Sequence, residues 1–148
     1  MALLMALALI YEFAGLSRPN SFALSDGYYT AEMADFDTHG WKEFVTIYVN
    51  SGEIISVEYN AKNPSGFIKS WDMNYMREMN ALSGTYPNEY TRLYSAALLK
   101  TQNPARVDAI TGATNSHASF RLLAQAAIEH SRKGDRNVAY VSGETNET

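Results

Sequence analysis

Two runs of β-forming residues joined by a tight polar turn set the first limit on what this chain can fold into. Phe44, Val45, Ile47, Tyr48 and Val49 precede Asn50-Ser51-Gly52-Glu53, and Ile54, Ile55, Val57 and Tyr59 follow it. β-Branched and aromatic residues favour pleated strands, and a short turn carrying glycine joins antiparallel neighbours. The spacing predicts a β-hairpin. An earlier run, Tyr28 to Met33 after the turn-prone Asp26-Gly27, adds another strand, with Asp35 to Gly40 as a polar loop before Trp41. Asn63-Pro64-Ser65-Gly66 then breaks the sheet pattern.

Beyond that loop the apolar period lengthens. Trp71, Tyr75, Met76 and Met79 recur at helical spacing, with Ser70 as a cap and Ser83-Gly84 as a stop. Tyr90, Leu93, Tyr94, Ala97 and Leu98 predict a second helix, ended by Asn103-Pro104. From Ser116 onward Phe120, Leu123, Ala127 and Ile128 predict a third, with Arg132 and Lys133 in its last turn and Gly134 as its stop. Strands followed by helices predict an α+β domain, an antiparallel β-sheet meander packed with about three helices, rather than a βαβ repeat.

At 148 residues the chain suits one domain with a single core. Met1 to Ile10 is wholly apolar but too short for a secure membrane span, and the small residues Ser21 and Ala23 precede Leu24. Residues 1–23 therefore read as a signal peptide or N-terminal hydrophobic segment, residues 24–141 as the folded domain and residues 142–148 as a polar tail. A cleaved segment would place the domain outside the cytoplasm.

Charge and cysteine content remove several kinds of chemistry. The formal net charge is −4 with the two signs mixed along the chain, so nucleic acid is not an expected partner. The absence of cysteine excludes disulfides, thiolate metal sites and thiol redox reactions, and redox activity would need a cofactor. His39, His117 and His130 have no second ligand at metal spacing, and no metal site is predicted. No nucleophile-elbow or phosphate-loop pattern occurs, and no catalytic residue is nominated.

What remains is Asp108-Ala109-Ile110-Thr111-Gly112-Ala113-Thr114, just ahead of the third helix. The first turn of a helix carries N–H groups without intrahelical partners and about half a positive charge from the macrodipole, a setting that favours an anion. Gly112 and Ala113 let a bulky group approach the backbone, while Thr111, Thr114 and Ser116 offer hydroxyls. Simple helix capping by Thr114 or Ser116 is the alternative use of the same residues.

The run resembles the flavinylation motif of the FMN-binding domain family, Asp-x-x-Ser/Thr-Gly-Ala-Thr, found in subunits of sodium-pumping NADH:quinone oxidoreductases and Rnf complexes and in small extracytoplasmic flavoproteins. Every specified position is matched. Less specific similarity to the single-domain members, including membrane-immunogen lipoproteins, lies in Asp26-Gly27-Tyr28-Tyr29, the Val49 to Val57 hairpin and Gly66-Phe67-Ile68-Lys69-Ser70. The missing cysteine separates this chain from members anchored by a lipid-modified cysteine.

The resemblance implies FMN joined through its phosphate to Thr114 by a magnesium-dependent flavin transferase, in a protein that passes electrons between membrane or extracytoplasmic redox partners. It places Thr111, Gly112, Ala113 and Ser116 around the phosphate and makes Asp108 a recognition or activation residue for the transferase. Trp71 and Tyr75 are the expected ring-packing residues, with Lys69 beside the phosphate or the reduced flavin. Three other readings stand beside this one: noncovalent FMN binding, a cofactor-free extracytoplasmic binding or surface module of the same fold, and reduction of a small substrate at the flavin.

Overall fold

A computed structural model describes residues 23–143. The hydrophobic segment expected over 1–23 and the tail expected over 142–148 lie almost wholly outside that range.

Strand β1 (Gly27–Met33) pairs antiparallel with β2 (Lys42–Asn50), and β2 pairs antiparallel with β3 (Glu53–Lys62). The β2–β3 turn has only two residues. Ser51 at φ 54° and Gly52 at φ 76° are both left-handed, the conformation whose twist suits a two-residue hairpin. On β2, Val45, Ile47 and Val49 are fully buried while Phe44, Thr46 and Tyr48 are only half-buried. Each buried side chain of this kind contributes about 1.5–3 kcal/mol, so a one-residue slip that turned all three outward would be strongly disfavoured. A bulge after Tyr48 interrupts the alternation on β3: Ile54 points into the core and Ile55 is 49% exposed.

Among the described residues three α-helices follow, α1 (Met73–Ser83), α2 (Pro87–Thr101) and α3 (Thr114–Lys133). Helix α3 lies on β1 and β2, and α2 lies on β3. Phe120, Leu123, Ala124, Ala127, Ile128 and Ser131 make one buried stripe along α3. Tyr90, Tyr94 and Leu98 of α2 complete the core, where Tyr59 and Tyr94 pack on Phe120 with ring centroids 5.0 and 5.3 Å away. The side chain of Gln102 docks α2 to the sheet, its Oε1 accepting from the Ile54 N–H and its Nε2 donating to the Ile54 carbonyl, both at 2.9 Å.

The expected α+β architecture is therefore the observed one, with three differences. Val138 to Val141, a short apolar patch in the sequence, supplies β4 (Ala139–Val141), which adds parallel to β1 and gives the order β3-β2-β1-β4. Three residues are too few to show a period. The cap of α1 is Asp72 rather than Ser70, because its carboxylate accepts from the N–H groups of Asn74 and Tyr75 while Ser70 belongs to a 3₁₀ turn, Lys69–Trp71. Helix α3 starts at Thr114 rather than near Ser116.

Helix α1 buries none of its residues, and Leu82 near its end is 90% exposed. Its capped ends and its half-buried residues Tyr75, Met76 and Met79 hold it over the end of the domain where the third helix begins. At the opposite end of α3, Ser131 ties down the incoming chain. Its hydroxyl donates to the Ser25 carbonyl at 3.0 Å and its carbonyl accepts from the Ser25 N–H at 3.1 Å.

Candidate functional site

The start of α3 is shaped by a tyrosine rather than by a capping hydroxyl. Tyr94, buried on α2, accepts from the Ile110 N–H and donates to the Ala113 carbonyl, each at 3.0 Å, so one hydroxyl closes the loop that precedes the helix. Burial raises the Tyr94 pKa, and the Ile110 hydrogen bond works against the rise. Ala113 thus becomes the N-cap without any side-chain cap bond, and Thr114 is the first helical residue. Thr114 is exposed. Among the described residues no acceptor takes the N–H of Thr114, Asn115 or Ser116; the first bond of the helix is from His117 N–H to the Ala113 carbonyl. Three donors and the positive end of a 20-residue helix are left open here.

They open onto a cavity of about 560 Å³. That is within the ordinary range for a small-molecule or cofactor site. One wall is Gly112 to Ser116 with Ser119 of α3; another is Asp37, Thr38 and His39 of the β1–β2 loop with Glu43 of β2. Tyr75 and Met79 of α1, Tyr90 of α2 and Lys69 of the 3₁₀ turn complete it.

Lys69 is 8% exposed, and its Nζ lies 4.9 Å from the Tyr75 ring centroid and 5.8 Å from that of Trp41. Aromatic faces stabilise an ammonium there by about 0.5–2 kcal/mol without neutralising it. Among the described residues it has no carboxylate at ion-pair distance. A buried cation facing a cavity beside unused helix donors makes a site for an anion.

The acidic side of the cavity is also ordered. Tyr59, buried in the core, donates its hydroxyl to Glu43 Oε1 at 2.6 Å, with the Ser116 carbonyl 3.2 Å from the same hydroxyl. Burial first, and the Glu43 charge second, push the Tyr59 pKa well up and keep the phenol protonated. Burial raises the Tyr90 pKa too, against the effect of the Ser116 side chain beside it.

Of the residues singled out in the sequence, the cavity gathers Lys69, Tyr75, Gly112, Ala113, Thr114 and Ser116. Trp71 is not among them: it is 64% exposed and meets only the ring of Phe67, edge-on, among the aromatic side chains. Trp41 holds the inner position instead, edge-on to Tyr75 at 6.3 Å. Asp108 and Thr111 are exposed and outside the lining, and Thr111 makes no side-chain hydrogen bond among the described residues.

The space at Gly112 is taken by protein. With φ +84°, its missing Cβ would collide with the Ser83 carbonyl oxygen at the end of α1. Gly112 therefore lets α1 close over the loop, while Ala113 is buried. His117 turns to the other side of α3, where Nε2 donates to the Val107 carbonyl at 2.6 Å and the ring stacks on Tyr94.

Glu43, Tyr90, Met79, Asn115, Ser119 and the Asp37–His39 loop were not foreseen. Glu43 had a readable signal, since it continues the inward-facing alternation of Val45, Ile47 and Val49 and puts a carboxylate on the core side of the strand. The described residues contain no cluster of ligands able to hold a metal ion.

No protein-family model matches the sequence. The fold is similar to the crystal structure of a protein from Clostridium perfringens, with a TM-score of 0.79 and 35% identity over 82% of this chain and 99% of that one. In sequence the chain is 39% identical over 114 residues to the 15 kDa lipoprotein of Treponema pallidum (strain Nichols), a match covering 77% of this chain and 81% of the relative. Identity at that level over most of both proteins means that the chain belongs to the family of this 15 kDa lipoprotein.

Proposed function

We infer that the protein is an extracytoplasmic flavin-carrying electron-transfer module in which FMN is attached through its phosphate to Thr114. The observation that carries this reading is the position of Thr114: an exposed hydroxyl on the first residue of α3, beside three open N–H donors, on a cavity that also holds the buried Lys69. A phosphate esterified there would receive the free donors of the first turn, and the helix terminus favours its charge by about 0.3–1 kcal/mol. The residues present fit the group. FMN, when bound, supplies the reversible two-electron chemistry that a protein without cysteine lacks in its own side chains, together with one-electron steps.

The chain's own part is to hold and shield. Tyr94 fixes the loop, α1 covers it, and Tyr75, Met79 and Tyr90 give the cavity apolar surface against which a ring can pack. Asp108 and Thr111, exposed beside the attachment residue, are available to the magnesium-dependent flavin transferase that the motif implies. The lipoprotein relative supports a membrane-associated, extracytoplasmic setting, with a redox partner at the membrane or beyond it. A covalent bond suits that setting because it replaces a dissociation equilibrium with a permanently high local concentration.

The test is intact-protein mass after coexpression with a flavin transferase. One FMN adduct is expected on the wild type and none on Thr114→Ala. An unchanged wild-type mass, or an adduct that survives the substitution, sinks the covalent assignment. A second reading, noncovalent FMN, is favoured by the same open donors, which can hold a phosphate without a bond. Acid precipitation separates the two: yellow colour follows the protein if the flavin is covalent and stays in solution if it is not.

A further inference from the structure

We propose that Glu43 and Lys69 together read the imide edge of the flavin ring, Glu43 accepting from its N–H and Lys69 donating to a carbonyl beside it. This rests on the flavin reading above.

Two opposite charges line one cavity, yet they are farther apart than the 4.0 Å of an ion pair. Each also has capacity left over. The Tyr59 hydroxyl occupies Glu43 Oε1, and among the described residues nothing donates to Oε2. Lys69 has three N–H donors and, among the described residues, no hydrogen-bond acceptor, only the Trp41 and Tyr75 rings. A site built this way is filled by an occupant that brings a donor to the carboxylate and an acceptor to the ammonium. A phosphate satisfies Lys69 alone and repels Glu43, whereas the carbonyl–NH–carbonyl edge of an isoalloxazine satisfies both. The division of labour follows: the phosphate takes the open donors of α3, and Lys69 is left for the ring.

Tyr59 acts through Glu43 as a positioning residue. Its hydroxyl is short to the carboxylate and longer to the Ser116 carbonyl, so it fixes the carboxylate while linking it to the first turn of α3.

Sites that hydrogen-bond a polar edge reject analogues that cannot pair with it, because the buried groups are left without partners. The experiment titrates lumiflavin and 3-methyllumiflavin, which lack the phosphate and differ only at the imide nitrogen, into the full chain and follows flavin fluorescence. Wild type is expected to prefer lumiflavin by roughly tenfold or more. The preference should vanish in Glu43→Ala and shrink in Glu43→Gln, which keeps the size and one acceptor, and in Tyr59→Phe. Equal binding of the two flavins by wild type, or an undiminished preference in Glu43→Ala, overturns the proposal. If the Thr114 adduct forms by mass and the preference is absent, the role of Glu43 fails while the flavin reading stands. No adduct and no binding of either flavin overturns both.

Discussion

Replacing Gly112 by alanine tests how α1 and the loop before α3 are locked together. Two costs add at this position. The left-handed backbone, φ +84°, costs an L-residue about 1–2 kcal/mol. The new Cβ also meets the Ser83 carbonyl, a backbone atom that cannot swing aside, so either α1 or the loop must shift. Strain of this kind costs typically about 1–3 kcal/mol, which makes the expected loss about 2–5 kcal/mol. Gly84→Ala is the matched control, because Gly84 has φ +71° but nothing within 4 Å of an added Cβ and pays the backbone cost alone. In urea, with a slope of about 1–3 kcal/mol per molar, the Gly112 variant should lose on the order of 1 M of midpoint beyond the Gly84 variant. Equal midpoints for the two variants would refute the claim that α1 bears on Gly112. Flavin loading should fall in the Gly112 variant and hold in the control.

Two further outcomes follow from the same geometry. Tyr94→Phe removes the hydroxyl shared by Ile110 and Ala113 and leaves the Ile110 N–H without its acceptor, while the Ala113 carbonyl keeps the His117 N–H, so urea unfolding should show a loss of about 1–3 kcal/mol with far-UV circular dichroism unchanged. Stability should also fall as pH rises above about 10, because tyrosines ionise there in the unfolded chain while burial keeps Tyr59 and Tyr90 protonated in the folded one. Below that pH this contribution is fully present, and urea midpoints at pH 8, 10 and 11, with Tyr90→Phe beside wild type, will show whether the decline shrinks when one of the two phenols is removed.

Where a residue's role follows from period, the sequence was readable. Val45, Ile47 and Val49 alternate, Phe120 to Ile128 recur at helical spacing, and both patterns come from burial on one face. The same logic applied to Glu43 would have marked an inward carboxylate. Where the outcome depends on a partner distant in sequence, local signals ranked the choices wrongly. Thr114 and Ser116 are better caps by type than Ala113, yet the Tyr94 hydroxyl fixes the loop so that Ala113 takes that place. Trp71 and Trp41 are equally plausible aromatics in a list, and only the turn of the 3₁₀ segment sends one outward and leaves the other beside Lys69. Gly112 was read as room for a ligand, but a helix end occupies that room.

Helix α3 also works as a spacer. Its 20 residues span about 30 Å, with Thr114 at one end and the Ser25–Ser131 clasp, where the chain comes into the fold, at the other. Strand β1 runs antiparallel to the helix, from that clasp toward the loop that lines the cavity. A domain held by the residues before Ser25 would carry Thr114 at the pole away from its tether, like a lamp at the end of a bracket. If Thr114 carries the proposed flavin, a partner that loads or discharges it would reach it from the free side, and lengthening the tether would alter how far the site travels without altering which face it presents.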